Sequence, residues 1–548
     1  MSAESRVEWR EWGPRPFVLA ESTDRPILLS LTASWCRPCA SMDATTYADP
    51  RIAASINDRF VPVRVDADRR PRVRDRYNAG GFPSTVFLTP DGEIIEAVTY
   101  LDPDALRSTL DHVESTWQDR GDAAGTVPET LPSDGTPKGT LAESILDRAY
   151  QTLRSANDER AGGWGGAPKF PLPAAIEFLL GRDDAMAQSA LDAVRTGLAS
   201  PDGGFYRFAH ERDWSDPQRE IRLEDTAALI RAFANAYLHT GAERYRSTAE
   251  RAIEFATGTL WVEPSAETGR NDGAFANAVA GDATDDADFD ADRGRSIDRT
   301  VYAGVNGLAI DALSSHAAYT DHERAREFAQ RALATVRHDL LEDGVVDHRL
   351  DAPRDEATRC LLADQTRVCR ALLSARSVFG WETIPAARRV ADVTIDRLRD
   401  EETGSVLDGP RSETGLLSRP LRPLEANAEL ASVLLDLSVL TGEEAYRADG
   451  RAILEAFAGA SDTIGVRSCG YPSAVGRYLH DPLIVRVGAP AGSDLHRAAF
   501  RVADHRKIVV PNAPSVPDDA ARVERGDRRS EPARSPAELV SRVESVST

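Results

Sequence analysis

At 548 residues the chain is too long for one ordinary core, and at roughly 150 residues per domain it divides into about two to four units. Its 88 acidic against 66 basic side chains give a formal charge of −22, spread along the sequence, which disfavours nucleic acid and anionic membranes as partners. The opening MSAESRVEWREWG lacks the apolar stretch of a secretory signal, and no later run approaches the roughly 20 apolar residues that span a bilayer, so a cytoplasmic protein is expected.

From Pro26 to about Val113 strand and helix patterns alternate. The apolar run Ile27 to Leu31 leads into a helix starting at the cysteines. The strand Phe60 to Val65, a short helix and the strand Thr85 to Leu88 follow. Asp91-Gly92 turns the chain into Ile94 to Val98, and a helix starts at Asp102. The order is βαβαββα, and a first domain over residues 1–117 is expected. Residues 118–138, rich in Gly, Pro, Asp and Thr, have the composition of a linker.

Residues 139–480 are dominated by amphipathic helices, with apolar side chains at three- and four-residue spacing, as in Ala227, Ile230, Phe233 and Ala236. A glycine-turn signature recurs between them: Gly162-Gly163-Trp164, Gly203-Gly204-Phe205, Asp272-Gly273-Ala274, Asp343-Gly344-Val345 and Thr403-Gly404-Ser405. Repeated helical hairpins with irregular loops on one side predict an (α/α) toroid, with an open solenoid as the alternative. In residues 481–548, strands Leu483 to Val487 and Lys507 to Val510 flank an apolar helix. After Asn512 a charged, mobile tail is expected, with a last helix near Pro536 to Val546.

The segment Trp35-Cys36-Arg37-Pro38-Cys39 directly follows an apolar strand, which places Cys36 at the amino end of a helix. There the helix dipole and unpaired amides favour a thiolate. A second thiol three residues on is the minimum for exchange: one sulfur attacks a disulfide and the other resolves the mixed intermediate. Half of a zinc site is the competing reading of such a pair, and no second CxxC or CxxH accompanies it. Neither a metal nor another cofactor is expected.

With Trp35, the dithiol and the segment Gly81-Phe82-Pro83-Ser84-Thr85 before a strand, about 90 residues resemble the thioredoxins. The resemblance implies an α/β thioredoxin fold in which Cys36 is the nucleophile, Cys39 the resolving thiol, Pro83 a cis-proline platform for an extended substrate and Trp35 a shield over the pair. The sequence departs at Ser30, six positions before Cys36, where thioredoxins carry a buried acid. Asp66 and Asp68 are the acids that could replace it.

The whole arrangement also resembles a family in which a thioredoxin-like domain precedes a six-hairpin toroid, the spermatogenesis-associated thioredoxin-like proteins and their bacterial YyaL relatives. The matching segments are Gly163-Trp164-Gly165-Gly166-Ala167-Pro168-Lys169-Phe170, Val305-Asn306-Gly307-Leu308 and Pro423-Leu424-Glu425-Ala426-Asn427-Ala428. Arg37 and Ala40 stand where that family usually carries His, and its terminal cysteine pair is missing after Cys469. The resemblance implies a toroid like those of sugar epimerases and glycosidases, with paired acids or histidines in the mouth of the ring.

Candidate toroid residues are Lys169, Glu224, Asp225, Asn306, Asp364 with Gln365, and Asn427. All but Lys169 lie near the start of a helix that then turns apolar. Helix capping is the structural alternative for each of those. His210 and His348 are possible bases, Cys360 and Cys369 read as core residues, and the acidic run Asp282 to Asp292 reads as a solvated insertion rather than a calcium loop. With lysine only at positions 138, 169 and 507, the acidic excess resembles halophilic archaeal proteins.

The expectation is a thiol-disulfide oxidoreductase domain fused to a toroid, acting on a protein disulfide or redox partner. The alternatives are a carbohydrate-active toroid with a regulatory first domain, and a non-catalytic scaffold.

Overall fold

The structure, a computed structural model, describes residues 6–129, 131, 135–264, 272–281, 296–352 and 354–547. The acidic run Asp282 to Asp292 lies outside the described residues. The chain divides into two compact units: residues 1–135, 280–298 and 408–421 form the first, and 136–279, 299–407 and 422–548 the second.

The first unit has a mixed five-stranded sheet. In chain order it runs β1 (Arg10–Glu11), α1 (Pro14–Thr23), β2 (Ile27–Thr32), α2 (Arg37–Thr45), α3 (Pro50–Arg59), β3 (Val61–Asp66), α4 (Pro71–Tyr77), β4 (Ser84–Leu88), β5 (Ile94–Val98) and α5 (Pro103–Arg120). The strand order is β1-β3-β2-β4-β5, with β2 parallel to β3 and antiparallel to β4. All five helices of this unit carry a Pro in the first turn, and two of them are capped by an aspartate: Asp49 accepts from the amides of Arg51 and Ile52, and Asp102 from those of Asp104 and Ala105.

The sheet is buried on both faces. Ile27, Leu29 and Leu31 point to one core with Val63, Val86 and Tyr77, while Leu28 points to the other with Met42, Ile56, Phe87 and Leu110. Two leucines from far along the chain, Leu416 and Leu417, complete the first core. Gly92 in the β4–β5 turn has φ of +86°, and a Cβ there would lie 2.5 Å from Gly415 Cα, so only glycine fits beneath this segment.

The second unit is a closed ring of six helical hairpins. Its inner helices are α7 (Pro173–Leu179), α9 (Leu223–Thr240), α11 (Ala303–Thr320), α13 (Leu362–Phe379), α15 (Leu424–Thr441) and α17 (Gly470–Leu479). Each packs on the next, and α17 returns to α7, which excludes the open solenoid. The outer partners are α8 (Asp184–Gly197), α10 (Glu243–Thr259), α12 (Glu323–Asp339), α14 (Ile384–Leu398), α16 (Glu444–Glu455) and α6 (Glu143–Ala156), the last paired with α17.

Inner helices are apolar nearly all round because they are covered by an outer helix and by both neighbours; α11 buries Leu308, Ile310, Leu313 and Ala317 on different sides. It meets α13 backbone to backbone: a Cβ on Gly307 would stand 2.7 Å from the Arg367 carbonyl group. The glycine-turn loops are β-bridged where outer helices end, through Asn157–Trp164, Ala199–Phe205, Trp261–Phe275, Leu341–Val346 and Arg399–Val406.

Past the ring, β6 (Ile484–Val487), α18 (Asp494–Phe500) and β7 (Ile508–Val510) make the expected parallel βαβ piece. The segment after Asn512 differs from the expected unstructured tail. Residues Ala521–Arg525 form β8, antiparallel to β6, and pair in turn with β9 (Arg528–Arg529); α19 (Pro536–Ser547) covers them. The charges of this segment alternate with Ala521 and Val523, which face the core beside Leu539, so a charged strand keeps one apolar face. Among the described residues no helix is long and apolar enough to cross a membrane.

Candidate active site

Cys36 ends the loop after β2 and is the N-cap of α2; Arg37 and Pro38 form the first helical turn. Its sulfur accepts the Cys39 amide at 3.1 Å, and the two cysteines are joined in a disulfide with Cα atoms 5.3 Å apart. Both are 4 % exposed. A reduced Cys36 in this position receives a backbone N–H and the positive end of the helix, both of which stabilise a thiolate.

Trp35, 2 % exposed, donates its indole N–H to Asp68 Oδ2 at 2.6 Å and meets Phe82 edge to face, with centroids 5.8 Å apart. The Phe82–Pro83 peptide is cis and leads straight into β4. Ser34 Oγ, one residue before Trp35, donates to Asp298 Oδ2 at 2.6 Å.

Ser30 is fully buried on β2, opposite Thr85 of β4 and Arg64 of β3. Where an acid would sit there are hydroxyls: burial raises the Tyr47 phenol, and the Thr85 and Ser30 hydroxyls oppose the shift. The acid of this region that titrates near neutrality is Asp66, at the end of β3 beside Thr32. Burial pushes it up to about 6; the Arg69 and Asp68 amides pull down, and the carboxylates of Asp68 and Asp298 push further up.

The toroid candidates mostly serve the loops. Asn306 Oδ1 accepts the Phe275 amide at 2.8 Å, and its Nδ2 donates to the carbonyls of Phe275 and Tyr302 at 3.0 and 2.9 Å. Asn427 repeats this with Val406 at 2.8 and 2.9 Å and with Pro423 at 2.9 Å. Gln365 does the same for the Val346 amide at 2.6 Å and the Gly344 carbonyl at 2.9 Å. Asp364 accepts the Gly304 amide at 3.0 Å and pairs with His348 Nδ1 at 2.7 Å.

Lys169 is fully buried; its Nζ contacts Asp158 Oδ2 at 2.9 Å and the carbonyls of Gly162 and Gly165 at 3.2 and 2.8 Å. Glu224 bridges Arg222 and Arg367 at 2.6 and 2.8 Å, and Asp225 beside it is half-buried. His210 is exposed and contacts Gln218 at 2.9 Å. Burial pushes the thiols of Cys360 and Cys369 up to about 11 and about 12, as befits core cysteines. No group of three or more metal-ligating side chains occurs among the described residues.

None of Glu224, Asp225, Asn306, Asp364, Gln365 and Asn427 lines the axial cavity. The axial cavity of about 310 Å³ is lined by other residues of the inner helices, from Thr366 and Glu425 near the helix starts to Glu177, Arg231, Asp311, Arg370, Glu429 and Asp436 further along. Arg231 binds Glu177 at 2.9 Å and Asp311 at 3.2 Å, and Asp436 takes both Arg370 and Arg477. The sequence signal for this lining is charged or polar side chains recurring at three- to four-residue spacing inside apolar helices, as in Arg367, Arg370 and Ser374, or Glu425, Glu429 and Ser432.

Residues 1–131 match the family model Thioredox_DsbH, whose description is protein of unknown function, DUF255. The human spermatogenesis-associated protein 20 is 27% identical over 296 residues, 47% of this chain and 38% of that protein. The thiol:disulfide interchange protein TxlA of Synechococcus elongatus is 38% identical over 81 residues, 14% of this chain and 40% of that one. The chain thus spans about two fifths of the length of the curated relatives it matches.

Among solved structures, the cellobiose 2-epimerase of Spirochaeta thermophila is similar at a TM-score of 0.48 and 16% identity, covering 62% of this chain and 95% of that one. A D-mannose isomerase is similar at 0.49 and 13%, covering 62% and 96%. The ring closure of the helices, not these similarities, defines the toroid. The chain joins a thioredoxin-like domain, matched over residues 1–131 by the DUF255 model, to a six-hairpin helical toroid.

Proposed function

We propose that the first unit is a thiol-disulfide oxidoreductase. The observation that carries this is the Cys36 sulfur at the N-cap of α2, accepting the Cys39 amide at 3.1 Å. In the reduced form the Cys36 thiolate attacks a client disulfide, forming a mixed disulfide and expelling one client thiolate. Cys39, once deprotonated, attacks the Cys36 sulfur, expelling the second client thiolate and leaving the Cys36–Cys39 disulfide. Two electrons pass to the client, and a donor dithiol returns the pair to the reduced state.

In this reading Pro83 and the backbone around it hold the extended client, Trp35 covers the pair, and Asp66 takes the role of proton acceptor that Ser30 cannot fill. The client is a protein disulfide and the working compartment the cytoplasm, where such pairs stay reduced. The test is reduction of a fluorescent disulfide by the full chain in high salt. Cys36→Ser is expected to abolish it, and Cys39→Ser to accumulate a mixed disulfide visible by mass. Exchange that survives Cys36→Ser overturns the assignment.

A further inference from the structure

The wall arginines of the axial cavity are each matched by acids: Arg231 by Glu177 and Asp311, Arg367 by Glu224 and Glu429, Arg370 and Arg477 by Asp436. The end of the cavity formed by the segment after α18 is different. The Arg506 guanidinium, near those of Arg477 and Arg525, makes no such ion pair among the described residues. Among the described residues Lys507 Nζ bonds only the Asp504 carbonyl, at 3.0 Å, and it faces the rings of Tyr319 and Phe500 at 5.0 and 5.8 Å. Arg506 and Lys507 thus meet at one end of the cavity with no carboxylate at ion-pairing distance among the described residues; the Asp504 carboxylate favours both charges from further away, while burial pushes the Lys507 ammonium down to about 7, a cost that a bound anion would offset.

Towards the first turns of the inner helices the unsatisfied groups are neutral or acidic. Thr366, 1 % exposed, lines the cavity, and its hydroxyl has no hydrogen-bond partner. Glu425 Oε1 has none either, while Gly470 stands against the carboxyl group. Burial, with Glu429 adding, pushes this carboxyl up to about 8, so it is an uncharged acid at neutral pH that both donates and accepts.

We propose that the axial cavity binds a small hydroxylated anion, with one carboxylate or phosphate group held at Arg506 and Lys507 and hydroxyls bonded to Thr366 and Glu425. A buried polar group without a partner is costly, and a hydroxyl that bonds it recovers that cost. A neutral polyol would leave the cationic end unmatched, and a cation would be repelled by it. A bare phosphate would leave Thr366 and Glu425 unbonded in a cavity whose 310 Å³ is that of a small-molecule site. The inference is independent of the dithiol reading.

The test is calorimetric titration of the full chain with gluconate, glucose 6-phosphate, glucose and inorganic phosphate. Either hydroxylated anion is expected to bind at least about tenfold more tightly than glucose or phosphate, and which of the two binds better names the anionic group. Lys507→Met and Arg506→Gln should each weaken that ligand about tenfold while circular dichroism is unchanged. Thr366→Val should weaken it without altering the affinity for phosphate. Binding should be equal in the Cys36→Ser, Cys39→Ser double variant, which separates this outcome from that of the exchange assay. No binding of either anion, glucose binding as tightly, or folded Lys507→Met and Arg506→Gln variants that bind unchanged would overturn the proposal.

Discussion

The Arg76 guanidinium, with no exposed side-chain surface, closes on the Asp408 carboxylate at 2.7 Å across 332 residues of sequence. Arg72 reaches the same carboxylate at 3.0 Å. One acid therefore neutralises two arginines of α4 inside the first unit. Removing one partner of a buried pair costs about 3–5 kcal/mol, because the remaining charge is stranded. Asp408→Ala is expected to lower the stability of this unit by that amount, read from denaturant unfolding followed at its tryptophans, with Asp408→Asn milder. An unchanged midpoint would show that the arginines find other partners.

The same segment sets the limits of the folded unit. Leu416 and Leu417 are 2 % and 8 % exposed in the core of the sheet, and the Leu416 amide donates to Tyr77 Oη at 2.8 Å. A fragment of residues 1–131 keeps the dithiol but lacks both leucines, so apolar surface of the sheet core returns to water. We expect such a fragment to unfold without a cooperative transition, and joining residues 408–421 to it by a flexible linker to restore one. Cooperative unfolding of the short fragment would rule this out.

Asp66 gives the dithiol unit a pH dependence of definite sign. Its carboxyl titrates near 6 when folded and near 4 when unfolded, so the folded state binds the proton more tightly. The stability this contributes is fully present below about pH 4 and lost as pH rises through about 6. Above that, Asp66→Asn should stabilise the unit by up to about 3 kcal/mol, since two pKa units are involved and Asn keeps the acceptor for the Asp68 and Arg69 amides. In the exchange assay the variant should lose an inflection near pH 6. Stabilisation with an unaltered exchange profile would leave Asp66 as a buried acid and remove it from the proton path.

What could be read from the sequence was local. Strand, cysteines, helix and the Phe82-Pro83 turn lie within short segments whose chemistry is self-contained, and the recurring glycine turns marked the ends of the outer helices. What escaped depends on distance. Nothing near Asp408 announces that its partners are Arg72 and Arg76, and nothing near Thr366 says that its hydroxyl lines an axis. The first-turn polar residues were identifiable as a repeated feature, but the direction of their side chains was not: first-turn side chains lean back toward the preceding loop, which is where Asn306 and Asn427 make their bonds.

Lys169 stands in the longest of the three segments that carry the family resemblance and has a structural environment. Its ammonium is enclosed by Asp158 and two loop carbonyls, and Arg212, with Lys169 adding, holds Asp158 well below the usual carboxylate range. Lys169→Met should destabilise the second unit by about 3 kcal/mol or more by stranding those acceptors, and leave dithiol exchange unchanged. Because the Asp158 shift is downward, its stabilising contribution is present above about pH 4 and lost on acidification. The variant should therefore differ less from the parent at low pH. A variant of parental stability would mean that the ammonium is dispensable to the fold.

Asn306 and Asn427 distinguish stitching from catalysis most directly. Each spends its whole amide on backbone groups, joining the start of an inner helix to the bridged piece that follows an outer one. An alanine at either position leaves a buried amide and carbonyls unpaired, at about 1–3 kcal/mol for each such group. Asn427→Ala is expected to lower the unfolding free energy of the second unit by at least about 2 kcal/mol. Asn427→Asp should be worse still, since a carboxylate cannot donate to the Val406 and Pro423 carbonyls. Hydrogen exchange at the Val406 amide should rise in step with that loss. A variant that keeps full stability and slow exchange at Val406, yet loses binding in the axial cavity, would return Asn427 to the functional site.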